Sequence, residues 1–169
     1  MLSKARRSFI WCMRHGFALL FAFIALGLGM SLLRPGPAQA DEEADTLKAV
    51  ALSDVSLSQR LMALNALKKK GGTAATDALA AIAADGDLRV ATAACAQLGR
   101  LGTTGSKAKL KSLLENASLS DEARIAAASS IAEHWKDRGD ESYLEDKCEG
   151  NDALEAHCAV LMTRVYGEE

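Results

Sequence analysis

Four stretches of the chain fall into one frame, and that frame constrains the fold more than any single motif does. LSQRLMALNAL from Leu57, LRVATAACAQL from Leu88, DEARIAAASSI from Asp121 and DALEAHCAVLM from Asp152 align with a small residue at Ala63, Ala94, Ala127 and Cys158. A large side chain follows four residues on, at Leu67, Leu98, Ile131 and Met162. The steps between units are 31, 33 and 31 residues. Positions i and i+4 share one face of a helix, so each stretch reads as a helix with a stripe trimmed largely to alanine. A fixed period of this length marks a stacked repeat, and two short helices fill each period. The alanine stripe lets neighbouring helices approach to the low end of the usual interaxial range of roughly 8–10 Å. A single helical bundle is the alternative, and it would make the equal steps a coincidence.

The punctuation agrees with this reading. No proline follows Pro37, while Gly71-Gly72, Gly86, Gly102 to Gly105, Asn116 to Ser120, Gly139 and Gly150 break an Ala- and Leu-rich chain. Good helix formers between such breaks predict helices near 45–53, 57–70, 73–84, 87–101, 106–116, 120–137, 141–148 and 151–166. Ser56 or Ser58, Thr73, Asp87, Ser120, Asp140 and Asn151 are the expected N-caps, because each side chain accepts a hydrogen bond from a first-turn amide.

Over residues 54–166 the pattern resembles HEAT-like repeats, of the short kind also found in bilin lyases. That pattern runs from an acidic residue through a hydrophobic-Arg pair and an alanine to Ala-Leu-Gly. Arg60, Ala63, Ala66 and Leu67 keep it, as do Asp121, Arg124 and Ala127, and as do Asp87, Val90, Ala94, Leu98 and Gly99. Ala91 stands where arginine is expected, with Arg89 displaced, and the fourth unit has Glu155 there. The resemblance implies an all-α solenoid of about three and a half helical hairpins.

The first forty residues differ from the rest. Lys4, Arg6, Arg7 and Arg14 precede the uncharged run Phe17 to Leu33, and RPGPAQA follows. Ala38 and Ala40 occupy the small-residue positions of a signal-peptidase site, which predicts cleavage before Asp41. Residues 1–40 are thus read as a helical signal peptide, 41–53 as a lead-in helix and 54–169 as the repeat domain. The competing reading is an uncleaved anchor through residues 17–33, whose ~25 Å reach falls short of the ~30 Å hydrocarbon layer. ARRSFI is similar to the twin-arginine export motif, yet the strongly apolar run is more typical of the general secretory route, and the choice between the two stays open. The expected compartment is the bacterial periplasm or the exterior, or the periplasmic side of the inner membrane if the anchor stays. Beyond residue 40 the chain carries fifteen basic and twenty-two acidic residues, a net charge near −7. That balance argues against a nucleic-acid partner, which needs a basic footprint.

Residues that might carry chemistry form no established constellation. Cys148 and Cys158 flank the turn EGND, and an antiparallel hairpin would bring them within bridging range, while Cys95 lies in the alanine stripe as a small apolar residue. His134, His157, Cys148 and Cys158 have the right types for a metal site but not the spacing, since His157 and Cys158 point about 100° apart on one helix. Ser118, Ser120, Ser129 and Ser130 read as caps or packing residues, and LGRLGTTGSK lacks the strand and spacing of a phosphate loop. Trp135, Tyr143 and Tyr166 fall in the last third, where they plug the end of the stack or form a binding patch. The expectation is therefore an exported, non-enzymatic protein-binding or scaffolding module without catalytic residue, cofactor or metal. Asp77, Lys107, Lys111, Glu115, Glu141 and Glu145 on the second helices are its candidate contacts with a protein partner. The alternatives are an accessory subunit or lyase-type enzyme, as the family resemblance implies, and a membrane-tethered structural protein. N-terminal sequencing of the protein from its native envelope is expected to read Asp41-Glu42-Glu43; a start at Met1 would establish the anchor instead.

Overall fold

The spacing of caps along the chain decides where each helix begins. The computed structural model describes residues 37–167, so the expected leader through residue 36 lies outside the described residues. Eight helices and no strand occur among the described residues: α1 (Pro37–Leu52), α2 (Leu57–Lys70), α3 (Gly72–Asp85), α4 (Leu88–Leu101), α5 (Thr104–Glu115), α6 (Asp121–Trp135), α7 (Arg138–Cys148) and α8 (Asp152–Val165). Helices α2, α4, α6 and α8 carry the repeated frame, and each is capped seven residues before the frame position, by Ser56, Asp87, Ser120 and Asn151. Ser56 forms a reciprocal capping box with Gln59, and Asp87 accepts from the amides of both Arg89 and Val90. The same local chemistry therefore starts the same helix four times.

Three boundaries depart from expectation. Helix α1 starts at Pro37, not near residue 45, with proline at a first-turn position that needs no amide donor. Thr73 caps nothing; α3 follows Gly71 without a side-chain cap, and Gly71 and Gly72 make the turn with φ of 65° and 76°. Helix α7 is capped by Asp137 in place of Asp140, so Gly139 lies inside the helix and Asp140 is freed to point inward.

The stack is one of hairpins: α2 with α3, α4 with α5, α6 with α7, then α8 as a half unit, with α1 leading in. Each first helix packs on the first helix of the next unit, and α3 and α5 pack on α4 and α6. These contacts between units are more extensive than those within a hairpin. Ala63, Ala94, Ala127 and Cys158 are all buried, as are Leu67, Leu98 and Ile131 four residues on. Val90, Leu110, Leu113 and Leu114 fill the same core, each buried leucine being worth about 1.5–3 kcal/mol. Met162, at the end of the stack, is only half-buried. Glycine has its own place in the frame: a Cβ on Gly99 would stand 2.7 Å from Nδ1 of His134, so the bare backbone admits that ring from the next unit.

Polar bonds tie the units at a similar step. Arg60 Nε donates to Ala51 O at 2.8 Å, capping the last turn of α1, while its guanidinium pairs with Asp87 of the next unit. Arg124 Nε repeats the first bond on Leu114 O at 2.9 Å, in the last turn of α5. The frame arginine thus supplies a donor to carbonyls that a helix end leaves unpaired. Gln97 donates to Asn65 Oδ1 at 3.1 Å, Asn151 to Asp121 Oδ1 at 3.0 Å, and Arg164 pairs with Glu133 at 2.7 Å. Replacing Ala94, fully buried between units, with leucine is expected to destabilise the stack by about 1–3 kcal/mol in chemical denaturation. An unchanged midpoint would mean that these helices do not meet closely.

Candidate functional site

Two polar centres arise where successive units meet. The first joins α5 to α7. Asp140 is 1% exposed and takes both Lys107 and Lys111 as ion-pair partners, the latter at 3.2 Å. Lys107 also reaches Asp137 at 3.1 Å and lies 5.7 Å from the centre of the Trp135 ring. Lys111 sits 3.9 Å over Tyr143, whose hydroxyl donates to Glu115 Oε1 at 3.1 Å. Trp135, Tyr143 and Tyr166 are all partly buried against the core here. The Tyr166 hydroxyl is buried without a hydrogen-bond partner among the described residues.

Each titration in this centre has a physical cause. The amide of Asp140 and then the Lys107 ammonium hold the Asp137 carboxyl down at about 2. Burial opposes the charge on Lys107, but its bonds to Asp140 and Asp137 outweigh that and hold the ammonium above the usual lysine value. Burial, reinforced by Asp140, Asp137 and Glu141, pushes Tyr166 up to about 12. Burial and Glu115 push Tyr143 up as well. Both ammonium groups already face carboxylates, so this centre is a clamp between second helices.

The second centre lies between α6 and α8. Ser129 Oγ and His157 Nε2 are 2.9 Å apart. With the ring proton on Nδ1, the serine hydroxyl donates to Nε2, the arrangement in which a base withdraws a proton from a nucleophile. Ser129 also lines a groove of about 400 Å³ on the first helices α4 and α6, with Leu88, Thr92, Ile125 and Glu133 around it. A lining that mixes apolar side chains with a few polar groups is the usual make-up of a small-ligand site, and the volume suits one.

The structure brings Lys107, Lys111 and Glu115 together in the clamp but not the other expected contacts. Asp77 pairs with Lys109 at 2.9 Å between α3 and α5. Glu145 lines a pocket beside Cys148 and Cys158, and Glu141 is half-buried on α7. Cys148 and Cys158 are joined, their Cα atoms 6.4 Å apart, and Cys95 is a buried free thiol pushed up to about 12 by desolvation. Asp41 is exposed within α1, and the backbone of Ala38 and Ala40 is helical. Among the described residues no group of three or more His, Cys, Asp or Glu side chains is disposed to hold a metal, and no helix is long and apolar enough to cross a membrane. Ser129 and His157 escape a sequence reading because they lie 28 residues apart. The one signal was the repeat itself, since Ser129 is two residues after one frame position and His157 one before the next.

The chain is similar to a solved structure of human deoxyhypusine hydroxylase in complex with glycerol, with a TM-score of 0.62 and 16% identity. The match covers 78% of this chain and 46% of that one, so the chain spans about half the length of the protein it matches. The fold is a HEAT-like helical repeat. No protein-family model matches the chain. No curated protein matches it. The likeness, one of fold, corrects the expectation of a non-enzymatic binding or scaffolding module: an enzyme is built on the same stack, so a helical repeat without a familiar motif is no argument against catalysis. That expectation relied on finding no nucleophile beside a base, and Ser129 beside His157 removes its premise.

The Asp137 carboxyl titrates below its ordinary 3.8, so its contribution to stability is complete above that value and is lost as pH falls toward about 2. Wild-type protein is expected to lose stability across this window in acid denaturation followed by circular dichroism, and Asp137→Asn to show a flatter profile. Identical profiles would show that the carboxylate is not engaged.

Proposed function

We propose that this chain is an enzyme of the HEAT-like repeat class, or the subunit of one that carries the reacting pair, with Ser129 and His157 at its centre. The observation that carries the reading is their 2.9 Å hydrogen bond beside the α4–α6 groove. His157 takes the hydroxyl proton, Ser129 Oγ attacks an electrophilic centre held in the groove, and the imidazolium returns the proton to the leaving group. Glu133, which lines the groove and pairs with Arg164, offers a charged contact to a polar substrate. An acyl-transfer or hydrolytic reaction follows from these groups. The lyase chemistry that the family resemblance implies would use the same base without a covalent step.

We infer an extracytoplasmic setting as well. The basic residues Lys4, Arg6, Arg7 and Arg14, the apolar run through Leu33 and the Ala38–Ala40 site support export. The joined Cys148 and Cys158 support an oxidising compartment, where such bridges persist.

A fluorophosphonate probe tests the reacting pair. Oxidised protein is expected to be labelled at Ser129, as located by peptide mass spectrometry, and Ser129→Ala to abolish the label. His157→Gln is expected to slow labelling about 100-fold or more, the scale of a lost general base. Absence of labelling at Ser129 overturns the catalytic reading.

A further inference from the structure

The junctions that lead into a first helix are not equivalent. Arg60 binds the end of α1 and Arg124 the end of α5, each from three residues before its frame position. The same position before Cys158 is Glu155, whose carboxylate has no donor for the last carbonyls of α7. There the tie is covalent: Cys148, the last residue of α7, is bonded to Cys158 at the frame position of α8. Cys158 directly follows His157, which bonds Ser129 on α6.

We propose that the Cys148–Cys158 bridge is a redox latch that holds α8, and with it His157, on the stack, so that its reduction loosens the terminal half unit and parts His157 from Ser129. The importance of this for chemistry rests on the Ser129–His157 reading; the loosening of α8 does not.

Three observations support the latch. Among the described residues helix α8 packs mainly on α6 and α7, whereas α4 and α6 are packed by units on both sides. Among the described residues its other polar ties are few: the Ser129–His157 bond, Asn151 to Asp121 at 3.0 Å, and an exposed Arg164–Glu133 pair of the kind that adds little. The bridge, whose cysteines are themselves buried, also borders a pocket of about 590 Å³ together with Ser142, Glu155, Ala159 and Met162, the side from which a reductant would approach. A dithiol reductant would attack one sulfur as thiolate and break the Cys148–Cys158 bond through a mixed disulfide; its second thiol would then complete its oxidation to a disulfide. Two electrons and two protons pass to the cysteines, leaving two thiols. Cys95, a free thiol in the core on α4, is not among the residues lining that pocket and stays out of this exchange.

Amide hydrogen exchange of the full chain, oxidised and after dithiothreitol, tests the latch. Residues 152–165 are expected to exchange about tenfold faster or more once reduced, with 57–101 unchanged. The side-chain resonances of His157 are expected to move toward those of the Ser129→Ala variant. Glu155→Arg, which installs the missing clamp, is expected to slow exchange of α8 in the reduced protein by about threefold or more. Unchanged exchange of α8, with thiol titration showing two new thiols, overturns the latch. Should Cys148→Ser with Cys158→Ser fail to fold, reduction of folded wild-type protein gives the same readout. Failure of fluorophosphonate labelling in the oxidised state counts against the catalytic reading alone, because the exchange of α8 does not depend on it.

Discussion

The packing of one first helix on the next, through Ala63, Ala94, Ala127 and Cys158, sets everything else in this molecule. These buried small residues let the helices approach closely, and close approach leaves little room to slide. One register is therefore repeated along the stack. A residue in one unit then meets the residue about one period away, whatever its identity. Arg60 with Asp87, Gln97 with Asn65, Lys107 with Asp140, Ser129 with His157 and Arg164 with Glu133 are all consequences of that single constraint.

Because each unit touches only its neighbours, stability is distributed along the stack and not pooled in one core. Junctions clamped by Arg60 and Arg124 each have one terminal carbonyl satisfied by the arginine, whereas Ala91 leaves the α3–α4 junction to apolar packing alone at that position. That junction compensates with Leu79, Ile82, Val90 and Leu98, all fully buried. The α7–α8 junction has fewer large buried side chains, namely Leu144, Leu154 and Leu161, and it carries the bridge, while the Lys107–Asp140 clamp ties the other side of α7 to α5. Helix α7 is thus held to its neighbours by an ionic tie on one side and a covalent one on the other.

Much of the fold was legible because the repeat wrote it four times. The caps at Ser56, Asp87, Ser120 and Asn151 and the stripe from Ala63 to Cys158 could be read before any coordinate. Boundaries went astray where one local signal competed with another: Gly139 looked like a break, but Asp137 caps the helix through it. The site was less legible. Lys107 and Lys111 stand out in the sequence as charged second-helix residues, yet their partner Asp140 reads there as a helix cap. Nothing in the sequence says which charge turns inward. Ser129 looked like a packing residue because its partner lies in the next unit, and an i, i+28 relation is invisible to motif reasoning unless the register is already known.

That invisibility bears on how function can enter such a stack. A fold does not specify an activity, and the same helical repeat serves many. In a solenoid, though, the surface between two first helices presents side chains from two units at a fixed offset. A serine in one unit and a histidine in the next suffice to bring a hydroxyl to an imidazole without any loop to position them. Rigid helices hold such a pair better than loops would, provided that both helices stay packed. Ser129 lies on α6, which has neighbours on either side, but His157 lies on α8, which among the described residues packs mainly on α6 and α7. The geometry of the pair is therefore as firm as the attachment of α8, and the nearest covalent attachment is one residue from the histidine.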